Sequence, residues 1–137
     1  MLLTELKNVL LTHENPSEYF MSLRDENRLL PVFAELAALS GVIQSPVYHR
    51  EGDAWTHTMM VLDEAAKRRD NVKNPFGFML SALCHDYGKA VCTEEKNGAV
   101  HALRHETEGL PLIKSFCQRI NADSELTEYV LNILPQQ

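Results

Sequence analysis

His57, His85 and Asp86 are the residues of this sequence whose types could do chemistry together. Two imidazoles and a carboxylate brought in from different helices can bind a divalent transition ion and leave positions open for water and substrate. His57 lies one turn into a helix that Asp53 is placed to cap. The partial positive charge of a helix N-terminus disfavours imidazolium and favours the neutral ring, which is the form that binds metal. The same position also suits a histidine that only hydrogen-bonds a neighbour. His85 and Asp86 stand side by side at the end of the most apolar run in the chain, where an uncompensated carboxylate is expensive to bury. Something must therefore pair with Asp86, either a salt bridge to Lys89 or an arginine, or a metal ion.

The elements that must position these groups read as helices throughout. Capping residues and prolines fall where a first turn accepts them, and no stretch sustains period-two alternation, so the expected class is all α. Leu3, Leu6, Val9 and Leu10 form a first stripe. Asn15 and Pro16 open a segment through Phe20 to about residue 24, and a third helix is expected over 30–39, closed by Ser40 and Gly41. After a loop at 45–52, Asp53 caps a helix to about residue 69. Asn74 and Pro75 start a helix over 74–87 that is apolar nearly all round and should be central and buried. A polar turn at 96–98 precedes a helix over 106–120, which Pro111 should kink or delay, and Asp123 or Ser124 caps the last one. The expected core includes Phe33, Leu36, Met60, Val61, Leu80, Leu83, Phe116 and Val130, with Trp55, Met59, Met79 and Cys84 also inside.

Composition narrows the class of function. A chain of 137 residues buries roughly two thirds of its unfolded surface on folding, so it needs no disulfide or metal simply to hold together. A metal here would serve function. Three cysteines, odd in number and without CxxC spacing, suit a reducing cytosol. The apolar run at 76–84 falls well short of the roughly 20 residues of a membrane span, and no basic segment leads an N-terminal apolar run, so the expected location is cytoplasmic. The net charge of −6 argues against holding RNA or DNA by this surface alone. A small phosphorylated ligand, or a basic partner domain, is compatible with it.

The motifs resemble a known family. Thr56-His57-Thr58 and Leu83-Cys84-His85-Asp86-Tyr87-Gly88-Lys89 look like the first histidine and the His-Asp signature of the HD phosphohydrolase superfamily. The run Tyr48-His49-Arg50-Glu51-Gly52-Asp53-Ala54-Trp55-Thr56-His57 is more specific. It resembles the His-Pro-Glu-Gly-Asp-x-Trp-Thr-His run of bacterial CCA-adding tRNA nucleotidyltransferases that carry an HD region. Arg104-His105-Glu106-Thr107-Glu108-Gly109 is similar to their Gly-His-Glu-x-x-Gly segment, and Asn15-Pro16 with the 29–42 run resembles the region before their HD motif. The likeness covers nearly the whole chain, and it implies a single HD-type helical bundle of about six or seven helices. Residues 1–41 would precede the motif, and 42–137 would form the HD core.

Carried over residue by residue, the resemblance implies that His57, His85 and Asp86 bind a divalent metal such as Mn, Ni or Mg. His105 would be a further ligand or phosphate contact. Asp86 would orient a water, and Lys89 would offset charge developing on a phosphate. His49, Arg50, His101 and Arg104, in loops, are candidates for substrate contact; Arg50 stands where the family has proline and Arg104 where it has glycine. Glu51 and Asp53 are possible acceptors for a ligand histidine, with capping the favoured role of Asp53. His13, near the end of the first helix, is read as a favourable C-terminal charge.

The reaction implied is hydrolysis of 2′,3′-cyclic or terminal phosphates of nucleotides or RNA 3′ ends. No Gly-Ser followed by an Asp-x-Asp pair is present, so nucleotide addition is not expected of this chain. The only aspartate after Asp86 is Asp123, read as a cap, which leaves His105 as the substitute for the later aspartate ligand of HD proteins. Two rival readings stand beside this one: a non-catalytic helical scaffold or docking module, and a phosphatase of free nucleotides.

Overall fold

A computed structural model describes residues 2–42, 53–89, 93–96, 99–102 and 105–133, with the backbone alone at 93–96, 99–102 and 105–108. The chain is an all-α bundle: α1 Leu2–Thr12, α2 Ser17–Asp25, α3 Ala34–Ala37, α4 Ala54–Ala66, α5 Pro75–Cys84, α6 His105–Arg119 and α7 Ser124–Ile133, with a 3-10 turn at Arg69–Asn71. One departure from helix is a small antiparallel hairpin, β1 Thr93–Lys96 and β2 Ala99–Ala102, paired from Thr93 with Ala102 to Lys96 with Ala99. Strands this short, the first of them polar throughout, carry no alternation that a sequence pattern can register.

The helix ends follow local chemistry. Asn74 Oδ1 accepts from Gly77 N at 3.0 Å, with Pro75 in the first turn of α5. Asp123 Oδ1 accepts from Leu126 N at 2.8 Å and so caps α7. Pro111 lies inside α6. At the start of α2 the cap position belongs to Pro16 rather than Asn15, with no side-chain cap bond. The third helix, Ala34–Ala37, is shorter than the apolar pattern suggests: Pro31 biases Leu30 away from helical geometry, and turns occupy 30–33 and 38–41 on either side of it.

α5 is the central helix. It packs against α1, α4, α7 and the 3-10 turn, and Met79, Leu80, Leu83 and Cys84 on it are wholly buried. α4 presents Trp55, Met59, Leu62 and Ala65 to this core, a stripe at helical spacing. Met60 lies on the flank of α4 and is 49% exposed, so its assignment to the core is corrected: it sits about 100° round the helix from Met59. Val61 is half-buried, and the other expected core residues are buried.

Polar ties fix the helices around α4 and α5. Ser17 donates to Asp63 through its N at 3.0 Å and its Oγ at 2.6 Å, seating α2 on α4. Arg119 grips Glu35 with both guanidinium nitrogens, at 2.7 and 2.9 Å, and also donates to Val32 O, holding α6 on α3. Asp53 is the junction between the segment at 39–42 and α4. Its Oδ1 accepts from Thr56 N at 2.8 Å, while its Oδ2 accepts at 2.6 Å from the N of Gly41, whose φ of 82° favours glycine.

Burial pushes the Asp53 carboxyl up, but the Gly41 and Thr56 hydrogen bonds outweigh it and hold the group below its ordinary value. Its stabilising contribution is therefore present above the unfolded value of about 4 and is lost as pH falls through the lower folded value. Asp53→Ala is expected to cost about 1–2 kcal/mol and to flatten the loss of stability below about pH 4. Urea unfolding of both proteins at pH 7 and at acid pH measures this; identical acid limbs would refute the assignment.

Candidate metal centre

The site forms where the N-terminal half of α4 meets the C-terminal end of α5. His57 projects from the second turn of α4, and α5 ends at Cys84, so that His85 and Asp86 occupy the turn that follows. A ligating atom from each of His57, His85 and Asp86 lies within 4.8 Å of the other two. His85 Nε2 is 3.2 Å, and His57 Nε2 4.0 Å, from Asp86 Oδ2. The two imidazole centroids are 5.7 Å apart. Three residues drawn from two parts of the sequence thus face one point.

Orientation of the His85 ring is also set. His85 Nδ1 lies 2.7 Å from Ala82 O, one turn back on α5. A carbonyl has no proton to give, so Nδ1 is the donor and Nε2 is the nitrogen turned toward Asp86. Asp86 is only 2% exposed. Burial pushes its carboxyl up, yet hydrogen bonding and charge from His85 and Lys89 outweigh this and keep it ionised well below the ordinary carboxylate range. Lys89 Nζ sits 3.0 Å from Asp86 Oδ2, with its own side chain 12% exposed.

The donor set fits a divalent ion. Two Nε2 atoms and an anionic oxygen converge, one imidazole is oriented by a carbonyl, and lone pairs 3.2 Å apart on His85 and Asp86 call for a proton or a cation between them. The salt bridge to Lys89, one of the pairings that the sequence allowed for Asp86, is formed, while the metal pairing rests on the donor set alone.

Behind the site, Tyr87 is buried edge-on against Phe116, with centroids 5.5 Å apart. Phe116 in turn meets Phe33, and Phe33 meets Phe20, forming an aromatic chain from α2 to the turn that bears Asp86. The thiols of Cys84 and Cys117 are free and buried, and burial pushes both up, which makes them packing residues.

The remaining candidates fare differently. His49, Arg50, Glu51 and Arg104 lie outside the described residues. His101, expected in a loop, belongs to β2 opposite Glu94. His105 begins α6, one turn ahead of Gly109. A Cβ at Gly109 would fall 3.1 Å from Gly88 N, a contact tight enough that a larger residue would have to ease the start of α6 a few tenths of an ångström from the turn carrying Asp86. His13 is exposed just beyond α1. Sequence reading missed the role of Ala82 O in orienting His85, although the three-residue spacing on one helix was a usable signal.

No protein-family model matches the chain, and no solved structure matches it. Curated proteins do. The multifunctional CCA protein of Hahella chejuensis is 36% identical over 123 residues, which is 88% of this chain and 27% of that protein. That of Nitrosospira multiformis is 36% identical over 121 residues, 88% and 28% of the respective chains. That of Actinobacillus pleuropneumoniae is 31% identical over 118 residues, 86% and 28%. The chain thus spans little more than a quarter of the relatives it matches. Among the described residues no helix is long and apolar enough to cross a membrane. Matched along most of its own length at this identity, the chain is a homologue of one region of the multifunctional CCA proteins.

Proposed function

We propose that the chain is an HD-type, metal-dependent phosphohydrolase acting on 2′,3′-cyclic or terminal phosphates of nucleotides or RNA 3′ ends. The observation that carries this reading is the gathering of His57, His85 and Asp86 within 4.8 Å, on residues that resemble the HD signature. Homology to a region of CCA proteins supports an RNA-end or nucleotide substrate. His57, His85 and Asp86 would hold the ion, with His105 as a further candidate ligand or phosphate contact. When bound, such an ion supplies Lewis acidity toward a phosphoryl oxygen and toward water. The residues supply the rest. Ala82 O keeps the His85 ring turned inward, Asp86 stays anionic to orient a water, and Lys89 brings a fixed positive charge beside the position of the phosphate.

One observation favours a second reading, a non-catalytic HD-like module: the Lys89 ammonium already compensates Asp86. The two readings part on metal and turnover. The purified chain, stripped with chelator and reloaded with manganese, nickel or magnesium, is expected to hydrolyse a panel of cyclic and linear nucleotide phosphates only when loaded. Absence of turnover with every metal over a broad panel would move the assignment to the module. Labelled CTP or ATP is not expected to be incorporated into tRNA by the chain alone.

A further inference from the structure

The outer face of α4 does not pack into the core. Together with α5 it walls a cleft of about 610 Å³ lined by His57, Met60, Val61, Glu64, Arg68 and Phe78 among others. That volume lies within the roughly 300–1,000 Å³ typical of small-ligand sites. His57 belongs both to this cleft and to the candidate metal centre, so the two adjoin at that side chain. The wall next to His57 is apolar, with Met60 half exposed and the ring of Phe78 partly open. Glu64 and Arg68 follow on the same face. Glu64 is seven residues beyond His57, about 10 Å along the axis, so a carboxylate acceptor and then a guanidinium donor are reached after the apolar stretch. Glu64 stays ionised, its side chain hydrogen-bonded by Lys67 at 2.9 Å.

We infer that this cleft is the nucleoside subsite of the candidate metal centre, taking the sugar and base of a terminal nucleotide whose phosphate lies at His57, His85 and Asp86. The sequence of surfaces matches the ligand: a cation-binding end for phosphate, an apolar aromatic wall for the faces of sugar and base, and a polar end for the base edge. Phe78 brings a partly exposed aromatic ring to that wall, the residue type on which bases stack, and Met60 a polarizable, adaptable contact. The inference rests on the phosphohydrolase reading and deepens it by naming where substrate recognition occurs.

The test uses the full chain labelled at its methionine methyl groups, which number five, with Met60 assigned through Met60→Leu. Adenosine 2′,3′-cyclic phosphate, or a short oligoribonucleotide ending in the same group, is expected to shift the Met60 methyl by its ring current. Met79, wholly buried in the core, should stay in place. Ribose 5-phosphate, which has sugar and phosphate but no base, should leave Met60 unmoved. Response to both nucleotide probes would make the single terminal nucleoside the recognised unit, and response to the oligonucleotide alone would make it an RNA end; either supports the subsite. Arg68→Ala and Phe78→Ala are expected to weaken nucleotide binding about tenfold, with Arg68, already exposed, the variant safe for folding.

A Met60 signal indifferent to every nucleotide, or moved equally by ribose 5-phosphate, would overturn the inference. Nucleotides that shift Met60 but are never hydrolysed would leave the subsite standing and sink the phosphohydrolase reading. Hydrolysis with Met60 silent and both variants unimpaired would do the reverse.

Discussion

Asp86→Asn is expected to abolish metal-dependent phosphate turnover and to leave the helical fold in place. The amide has the shape of the carboxylate but not its charge, and that charge sits 2% exposed where His57, His85 and Lys89 all face it. Loss of a partner that merely orients a metal ligand costs about 10- to 100-fold in affinity or activity, so loss of the anionic ligand itself should exceed this. Stability should fall as well, because the carboxylate is held well below its ordinary range and Lys89 loses a buried counter-charge, but the fold should survive where turnover does not. Calorimetric titration with manganese, turnover of a cyclic nucleotide and thermal unfolding, each on both proteins, measure the three effects separately. Equal turnover in the two would place the activity elsewhere, and collapse of the fold would show Asp86 to be a structural ion pair first.

Phe116→Ala should produce the largest loss of stability. Its ring is fully buried and bridges Phe33, 5.9 Å away, and Tyr87, 5.5 Å away, so nothing nearby can collapse into the space without moving the turn that holds Asp86. Removal of a buried phenyl ring costs about 3–5 kcal/mol, which for a domain of this size lowers the melting temperature by roughly 10–20 °C. Metal affinity should fall with it, because Tyr87 adjoins Asp86 and loses its packing partner. Denaturant unfolding gives the first quantity and metal titration below the transition the second. A loss under about 1 kcal/mol would mean that the aromatic chain does not support the site.

Much of the local structure was written in short-range chemistry. Asp53, Asn74 and Asp123 cap the helices they precede because an Asx oxygen reaches a backbone N–H three residues on, wherever the helix lies in the fold. The central place of α5 followed from its being apolar on every side, since such a helix has no face to give to water. The pairing of His85 with Asp86 at its end was visible for the same reason. Met60 was misjudged because a methionine beside a methionine looks like core, and only the packing of α4 on α5 decides which of two adjacent positions turns inward. The paired strands at 93–96 and 99–102 escaped because they pair through backbone groups, which every sequence possesses.

By itself, then, the sequence determined the helical class, the caps, the apolar axis of the bundle and the residue types able to bind a cation. It could not determine that His57, nearly thirty residues before His85, comes within 4.0 Å of Asp86 Oδ2, nor that Ala82 O turns the His85 ring, nor that Lys89 closes on the carboxylate. Those depend on how far α4 slides along α5 and at what rotation, and that is settled by the packing of side chains from the whole bundle. The cleft beside His57 belongs to the same class: helical periodicity divides α4 into faces, but only the tertiary packing leaves one of them uncovered.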